Sequence, residues 1–173
     1  MAETIQTALI MGLFPGLMVY AAMTDLIDRR IANWVSLALL AGFVAFALAS
    51  GMGFGQFGAH LGVAFLAFVV GFGAFALGTM GGGDVKLIAA SMIWFGPQGA
   101  ATYAIAFSLA GLAITLVFVA LRLDSMQYLL SSNPLTRPFA GRDPTGRDIP
   151  YGLAISSGAL FLLPALMGIH GVL

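Results

Sequence analysis

Apolar residues fill most of this chain in long blocks, and short polar or glycine-rich segments separate the blocks. A helix needs roughly 20 apolar residues to cross the hydrocarbon core of a bilayer. The pattern therefore predicts six membrane-spanning helices, at residues 5–23, 33–50, 59–78, 84–95, 99–121 and 151–170. The fourth is short because Gly96-Pro97 stops it, so we expect it to begin within the membrane or beside a water-filled notch. The predicted fold class is all-α, a polytopic membrane protein.

The polar segments indicate one domain, residues 1–173, with a single long loop at 122–150 that is rich in proline. Asn33 is a favourable helix N-cap residue, and we expect it to start the second helix. No Lys or Arg precedes the first apolar block, whereas a signal peptide carries a basic segment there. We therefore expect residues 5–23 to be a retained span.

The composition indicates that the solvent around this chain is lipid. Hydrophobic residues make up 60% of it and charged residues 8%, against about 25% charged residues in soluble domains. The mean hydropathy is +1.01. A net charge of zero argues against a nucleic-acid partner. Cysteine is absent, which excludes disulfides and thiolate metal ligands, and we expect neither a metal nor a cofactor.

The positively charged residues all fall on one side of the six-helix layout. They are Arg29, Arg30, Lys86, Arg122, Arg137, Arg142 and Arg147. Positive residues mark the cytoplasmic side of a membrane protein, so both termini are predicted to be extracytoplasmic. Asp25 and Asp84 then lie together at the cytoplasmic face. The same layout puts His60 and His170 near the outer face and Trp94 in an aromatic belt at the interface.

Two acids stand at the edges of apolar blocks: Asp25 ends the first, and Asp84 follows Gly81-Gly82-Gly83. Ionisable groups at membrane depth are costly and point to function. Two carboxyl groups that share one proton can hydrolyse a peptide bond, since the ionised one accepts a proton from water while the protonated one polarises the carbonyl. The glycines are expected to bend the backbone sharply and to leave room for a substrate. Because helix N-termini favour negative charge, Asp84 is predicted to be the charged partner and Asp25 the proton carrier.

Structural interpretations of the same residues stay open. Asp84 can be a helix cap after the glycines, and Asp25 can pair with Arg29 one helical turn further on. Asp28 competes for the role of the first acid, but it stands beside two arginines and is expected to be solvated. Lys86 can neutralise Asp84, contact lipid phosphate or bind substrate.

Three segments together resemble the type IV prepilin peptidases, a family of GxGD aspartic membrane proteases. Residues 24–33 resemble the family's first-aspartate motif, residues 81–87 resemble GxGD with its Val-Lys-Leu continuation, and residues 149–152 resemble the Pro-aromatic-Gly element that opens the last span. The resemblance implies that Asp25 and Asp84 are catalytic. It gives site-shaping or substrate-proximal roles to other residues of these motifs: Gly81, Gly83, Lys86, Asn33, Pro150, Tyr151 and Gly152.

Two departures from the family pattern refine the resemblance. Ala32 stands where the first motif usually has proline, and the chain lacks the four-cysteine zinc insert of the long members. It therefore resembles the short TadV/CpaA-type branch, without the methyltransferase activity of the long members. The implied function is removal of the basic leader from Flp-type prepilins or pseudopilins at the cytoplasmic face of the bacterial inner membrane. The implied partners are that substrate, membrane lipid and the pilus assembly machinery.

Three other functions are weighed against this one. Another GxGD protease, of the signal-peptide-peptidase or presenilin kind, would carry a Tyr-Asp pair, which this sequence lacks. A small proton-coupled carrier would use the acids as a relay and would favour inverted repeats. A noncatalytic assembly subunit of a secretion system would hold the acids for structural reasons.

Overall fold

Helices account for nearly all of the part of the chain that the computed structural model describes, which is residues 2–122, 132 and 149–171. They are α1 (Ala2–Ala8), a π-helical turn (Leu9–Leu13), α2 (Phe14–Asp28), α3 (Asn33–Ala49), α4 (Phe54–Ala76), α5 (Gly82–Arg122), α6 (Tyr151–Phe161) and α7 (Leu163–Ile169). These residues include no strand, so the all-α prediction is confirmed for them. Most of the loop predicted at 122–150 lies outside the described residues.

Several of these helices are long and apolar enough to cross a membrane. By length and composition they are Ala2–Asp28, which joins α1, the π-helical turn and α2, together with α4 and Gly82–Leu121 within α5. The pair α6 and α7, bent by 53°, counts as a fourth if it forms one broken span. Helix α3 is apolar but has 17 residues, a length of about 26 Å. The count of six spans stays a prediction.

Helix α5 is not one straight rod, because the chain turns back at Gly96. Gly96 has φ 57° and ψ −167°, a conformation almost confined to glycine, and Pro97 follows it. The hydroxyl oxygens of Ser91 and Tyr103 nevertheless lie 2.8 Å apart. Residues this far apart in a straight helix would be separated by about 18 Å. The two parts of α5 therefore pack against each other, and the predicted helix break at Gly96-Pro97 is confirmed.

The second part of α5 (residues 97–122) returns to the end of the molecule where α2 finishes. There the guanidinium carbon of Arg29 lies 5.7 Å from the centre of the Phe118 ring. The first part of α5 (residues 82–95) starts at that same end, and it is only 14 residues long. It spans about 21 Å, which agrees with the expectation of a short fourth helix.

Trp94 is the centre of the apolar core. Its ring is fully buried and lies 5.1, 5.8 and 5.9 Å from the rings of Phe14, Phe43 and Phe46. Its indole N–H donates to the carbonyl oxygen of Leu39 at 3.1 Å, as a buried tryptophan requires. The prediction that Trp94 lies in an interfacial belt is wrong, because its ring is buried in the protein core. The hydrogen-bond acceptor for its N–H is there the carbonyl oxygen of Leu39 and not a group at the membrane surface.

His60 also lies in this core, beside the turn at Gly96. Its side chain is 1% exposed, and its Nδ1 lies 2.7 Å from the carbonyl oxygen of Ile93. The partly buried His170 approaches it with ring centres 5.8 Å apart, and its Nε2 lies 2.7 Å from the carbonyl oxygen of Trp94. The Ile93 carbonyl needs such a donor, because the residue that would normally bond it along the helix is Pro97, which has no N–H.

Candidate active site

Three helix ends border a cavity at the end of the molecule where α2 finishes. The C-terminus of α2 and the N-termini of α3 and α5 enclose a volume of about 920 Å³. Its lining consists of Tyr20, Thr24, Asp25, Asp28, Arg29, Arg30, Ile31, Ala32, Asn33, Gly81, Gly82, Gly83 and Asp84. The structure thus brings Asp25 and Asp84, which come from separate helices, to one cavity.

Asp25 lies in the last turn of α2 and is 7% exposed. Its Oδ2 accepts a hydrogen bond of 2.7 Å from the backbone N–H of Gly152, and the backbone of Leu153 also hydrogen-bonds the carboxyl group. Both donors belong to the first turn of α6, whose N–H groups have no partner within the helix. The carboxyl group of Asp25 therefore caps a helix that is 127 residues away in sequence.

The backbone turns sharply just after Asp25. Arg29 has φ 55° and ψ 34°, a left-handed conformation, and is the one such non-glycine residue among those described. Its N–H donates to the carbonyl oxygen of Asp25 at 3.1 Å. This turn ends α2 at Asp28, and Asp25 and Asp28 of its last turn line the cavity.

Asp84 lies in the first turn of α5, on the opposite wall. Gly81 precedes that helix, since its carbonyl oxygen accepts from the N–H of Val85 at 3.2 Å. The carboxyl group of Asp84 reaches back over Gly81, whose backbone hydrogen-bonds it. The structural interpretation of Asp84 as an acid in a helix cap is therefore compatible with its place in the cavity. The two carboxyl groups are also close enough to interact electrostatically.

The glycines before Asp84 provide space and not an unusual backbone conformation. None of Gly81, Gly82 and Gly83 has a positive φ, whereas Gly78, which follows α4, has φ 71°. A Cβ on Gly81 would lie 2.8 Å from Oδ2 of Asp84, and a Cβ on Gly83 would lie 3.3 Å from Cβ of Ile31. The expected sharp bend is thus located at Gly78. The glycines at residues 81 and 83 allow the side chains of Asp84 and Ile31 to lie close to the backbone.

Gly152 is packed in the same way against the first acid. A Cβ there would lie 2.9 Å from Oδ2 of Asp25 and 2.8 Å from Cδ1 of Ile31. The two residues before it, which were also predicted to shape the site, differ in exposure. Pro150 is buried and is the N-cap of α6, whereas Tyr151 is 39% exposed. Among these three, the structure puts Gly152 in contact with Asp25.

Asn33 and Lys86 are joined by a hydrogen bond of 2.9 Å from Nζ to Oδ1. Asn33 is the first residue of α3 and lines the cavity, but the cap residue is Ala32, which is extended. The prediction that Asn33 caps this helix is therefore wrong, since its side chain is directed to Lys86. Lys86 faces a smaller apolar groove of about 300 Å³ that Asn33 also borders, and forms no ion pair with Asp84 within the described structure.

Ile31 is a site residue that sequence reasoning missed. It lies between α2 and α3, lines the cavity and contacts both Gly83 and Gly152. Asp28 also lines the cavity and is exposed. A signal for Ile31 was present, since it falls inside the segment 24–33 that carries the first motif.

The apolar helices and the acids at their ends define the class of this chain as a membrane protein. The family model of the type IV leader peptidases matches residues 12–119, which is more than half of the chain and includes Asp25 and Asp84. The chain belongs to that family and is a protease of the leader-peptidase kind. No curated protein and no solved structure matches it.

Proposed function

We propose that this protein is an aspartic endopeptidase that removes the leader peptide of Flp-type prepilins or pseudopilins, with Asp25 and Asp84 as its catalytic pair. The observation that carries the proposal is that two carboxyl groups from separate helices line one cavity, within the region matched by the leader-peptidase family. A cavity of about 920 Å³ has room for an extended peptide segment. Two carboxyl groups held close to each other are sufficient to hydrolyse a peptide bond without a metal ion.

In the proposed reaction the pair holds one proton. The ionised carboxylate accepts a proton from water as the water oxygen attacks the scissile carbonyl carbon, and the protonated acid gives its proton to the carbonyl oxygen. The resulting gem-diol then collapses. The first acid returns its proton to the amide nitrogen as the C–N bond breaks, and the second takes a proton from one hydroxyl. The new carboxyl and amino termini leave, and the pair is restored with one proton.

The proposed membrane arrangement has six passes with the cavity at the cytoplasmic face of the bacterial inner membrane. The reversal at Gly96 supports it, because it divides α5 into two antiparallel segments. The positively charged Arg29, Arg30 and Lys86 cluster at the cavity end of the described structure, as the cytoplasmic side requires. Both termini are then extracytoplasmic, and residues 1–173 form one domain whose long loop is cytoplasmic.

The test is to co-express a Flp-type prepilin with the protein. Leader removal is measured as the change in the electrophoretic mobility of the prepilin. Asp25→Asn and Asp84→Asn keep the side-chain size but remove the acid, so each alone should reduce processing by about 10²–10⁴-fold. Mass spectrometry of the product tests a second part of the proposal, an unmethylated new N-terminus. Glu3→Gln, at the far end of the first helix, is the matched control and should process normally.

Asp28→Asn decides which acid on α2 acts. Asp28 lies one turn from Asp25 and lines the same cavity, but it is exposed, whereas Asp25 is buried and accepts a hydrogen bond from Gly152. We expect this variant to keep most of its activity. Full processing by both Asp25→Asn and Asp84→Asn, in protein that is inserted and folded, would show that the acids are structural, as in a carrier or an assembly subunit.

A further inference from the structure

We propose that the first turn of α6 makes Asp25 the ionised member of the pair, the one that accepts the proton from water, and leaves Asp84 as the proton-bearing member. Gly152 is then a positioning residue for catalysis. This inference rests on the proposed function and deepens it, since it assigns a role to each acid. It reverses the assignment that each acid's own helix predicted.

The donors around Asp25 carry the argument. Gly152 donates its N–H to Oδ2 at 2.7 Å, and the backbone of Leu153 hydrogen-bonds the same carboxyl group. Two N–H donors and the positive end of a helix favour a carboxylate over a carboxylic acid. Arg29, which directly follows α2, adds a favourable charge. Both donors are main-chain groups of one helix turn, so they cannot turn away from Asp25 without moving α6.

Asp84 has a weaker set of partners. One backbone donor, at Gly81, hydrogen-bonds it, and the neighbouring charge is the carboxyl group of Asp25, which is unfavourable to a second negative charge. Asp84 also lies near a helix N-terminus, but that advantage is shared by Asp25 through α6. When one proton is divided between the two acids, the geometry places it on Asp84.

Close packing fixes this arrangement. A Cβ at residue 152 would lie 2.9 Å from Oδ2 of Asp25, 3.0 Å from its Cβ and 2.8 Å from Cδ1 of Ile31. Any side chain at this position therefore pushes the N-terminus of α6 away from the acid. Glycine at residue 152 is required for the short hydrogen bond and not for its backbone angle, since its φ is not positive.

The two assignments predict different pH–rate profiles. The charged or titratable residues that line the cavity with Asp25 are Tyr20 and Asp28 on α2, Arg29 and Arg30 after it, and Asp84 on α5. Lys86 on α5 and Tyr151 on α6 are outside this lining but are close in sequence to Asp84 and Gly152. The active form of the pair holds one proton, so the acid limb of kcat/KM reports the first ionisation and the alkaline limb the second. If Asp25 ionises first, weakening its N–H donors shifts the acid limb alone. If Asp84 ionises first, the same change shifts the alkaline limb alone.

The experiment replaces single amides of the full-length protein with esters, which removes an N–H and adds no atoms. Glycolic acid at residue 152 or leucic acid at residue 153 should move the acid limb to higher pH by about one unit, because a hydrogen bond to a charged group changes an equilibrium by roughly tenfold or more. At a pH on that limb, kcat/KM should fall about tenfold, while the alkaline limb stays in place. Lactic acid at residue 154, which removes an N–H from the same turn, should leave both limbs unchanged.

A genetically simpler variant gives a second measurement. Gly152→Ala should also shift the acid limb upward, and processing at its pH optimum should fall less than processing on that limb. A shift of the alkaline limb in the ester variants would reverse the two roles, and an absence of any shift would remove Gly152 from the mechanism. Failure of the proposed function itself looks different, since the unmodified protein would then leave the leader uncleaved at every pH.

Discussion

At both ends of the first part of α5, residues 82–95, side chains hydrogen-bond backbone groups that have no partner within the helix, but the side chains differ. At the N-terminal end, the carboxyl group of Asp84 reaches the unpaired backbone before the helix. At the C-terminal end, His60 and His170 lie 2.7 Å from the carbonyl oxygens of Ile93 and Trp94. Helix ends leave such groups without partners, and buried ones must find them.

The ends differ in what surrounds the polar side chains. His60 is 1% exposed and is packed between Phe43 and Gly96, whereas Asp84 faces a cavity of about 920 Å³. A polar residue beside a helix end is therefore insufficient evidence of chemistry. The two ends differ in whether water and substrate can reach them. We propose that the end with Asp84, called the acid end, carries the reaction, and that the end with His60 and His170, called the histidine end, contributes to stability.

The largest expected effect is on the histidine end, from Gly96→Ala. Alanine is strained at φ 57° and ψ −167°, and its Cβ would overlap the imidazole of His60. We expect a loss of about 3 kcal/mol in the free energy of unfolding, measured by thermal unfolding in detergent. Gly62→Ala, on α4 where a Cβ meets nothing within 4 Å, is the matched control and should change stability by less than about 1 kcal/mol. Equal stability of the two variants would mean that the turn at Gly96 is not tightly packed.

Replacing the imidazole tests the second part of the comparison. His60→Leu leaves the buried carbonyl of Ile93 without its partner, which should cost about 2 kcal/mol of stability. Leader removal per folded molecule should stay unchanged, because the histidine lies at the end of the first part of α5 that is away from the acids. Asp84→Asn should do the opposite and lose activity with little loss of stability. A His60→Leu variant with unchanged stability that fails to remove the leader would contradict the assignment of stability to one end and chemistry to the other.

The effect on the acid end is expected to be smaller when the acids themselves are kept. Gly81→Ala places a Cβ 2.8 Å from Oδ2 of Asp84 and should displace that carboxyl group. We expect kcat/KM to fall about tenfold, which is about 1.4 kcal/mol in the activation free energy. Gly82→Ala is the matched control, since its Cβ would meet only the ring of Phe75 at 3.4 Å. Comparable losses in both variants would show that the glycines serve helix entry and not the space over Asp84.

Much of the fold was predictable because hydropathy and helix breaking are local properties. The helix predicted at residues 33–50 ends one residue beyond α3, and the one predicted at 59–78 differs from α4 by five residues at its start and two at its end. The reversal of α5 follows from Gly96-Pro97, which combines a conformation almost confined to glycine with a residue that has no N–H. The two acids were singled out for a similar reason, as charges at the ends of apolar blocks.

The sequence could not predict contacts between residues that are distant along the chain. His60 lies 33 residues from its carbonyl partner, and His170 lies 76 residues from its partner. Asp25 accepts a hydrogen bond from Gly152, which is 127 residues away, and nothing in the sequence around Asp25 indicates that contact. Hydropathy predicts which segments are apolar, but it holds no information about which segments pack together.

The smallest expected effect concerns the link between Asn33 and Lys86 on the rim of the cavity. Their hydrogen bond of 2.9 Å is exposed, so Asn33→Ala and Lys86→Met should each lower stability by about 0.5 kcal/mol. The double variant should lose no more than either single one, because both remove the same interaction. A processing assay on the three variants sharpens the comparison between stability and chemistry. If Lys86→Met reduces leader removal well beyond Asn33→Ala at equal stability, the lysine acts on the substrate and the acid end has a third functional group.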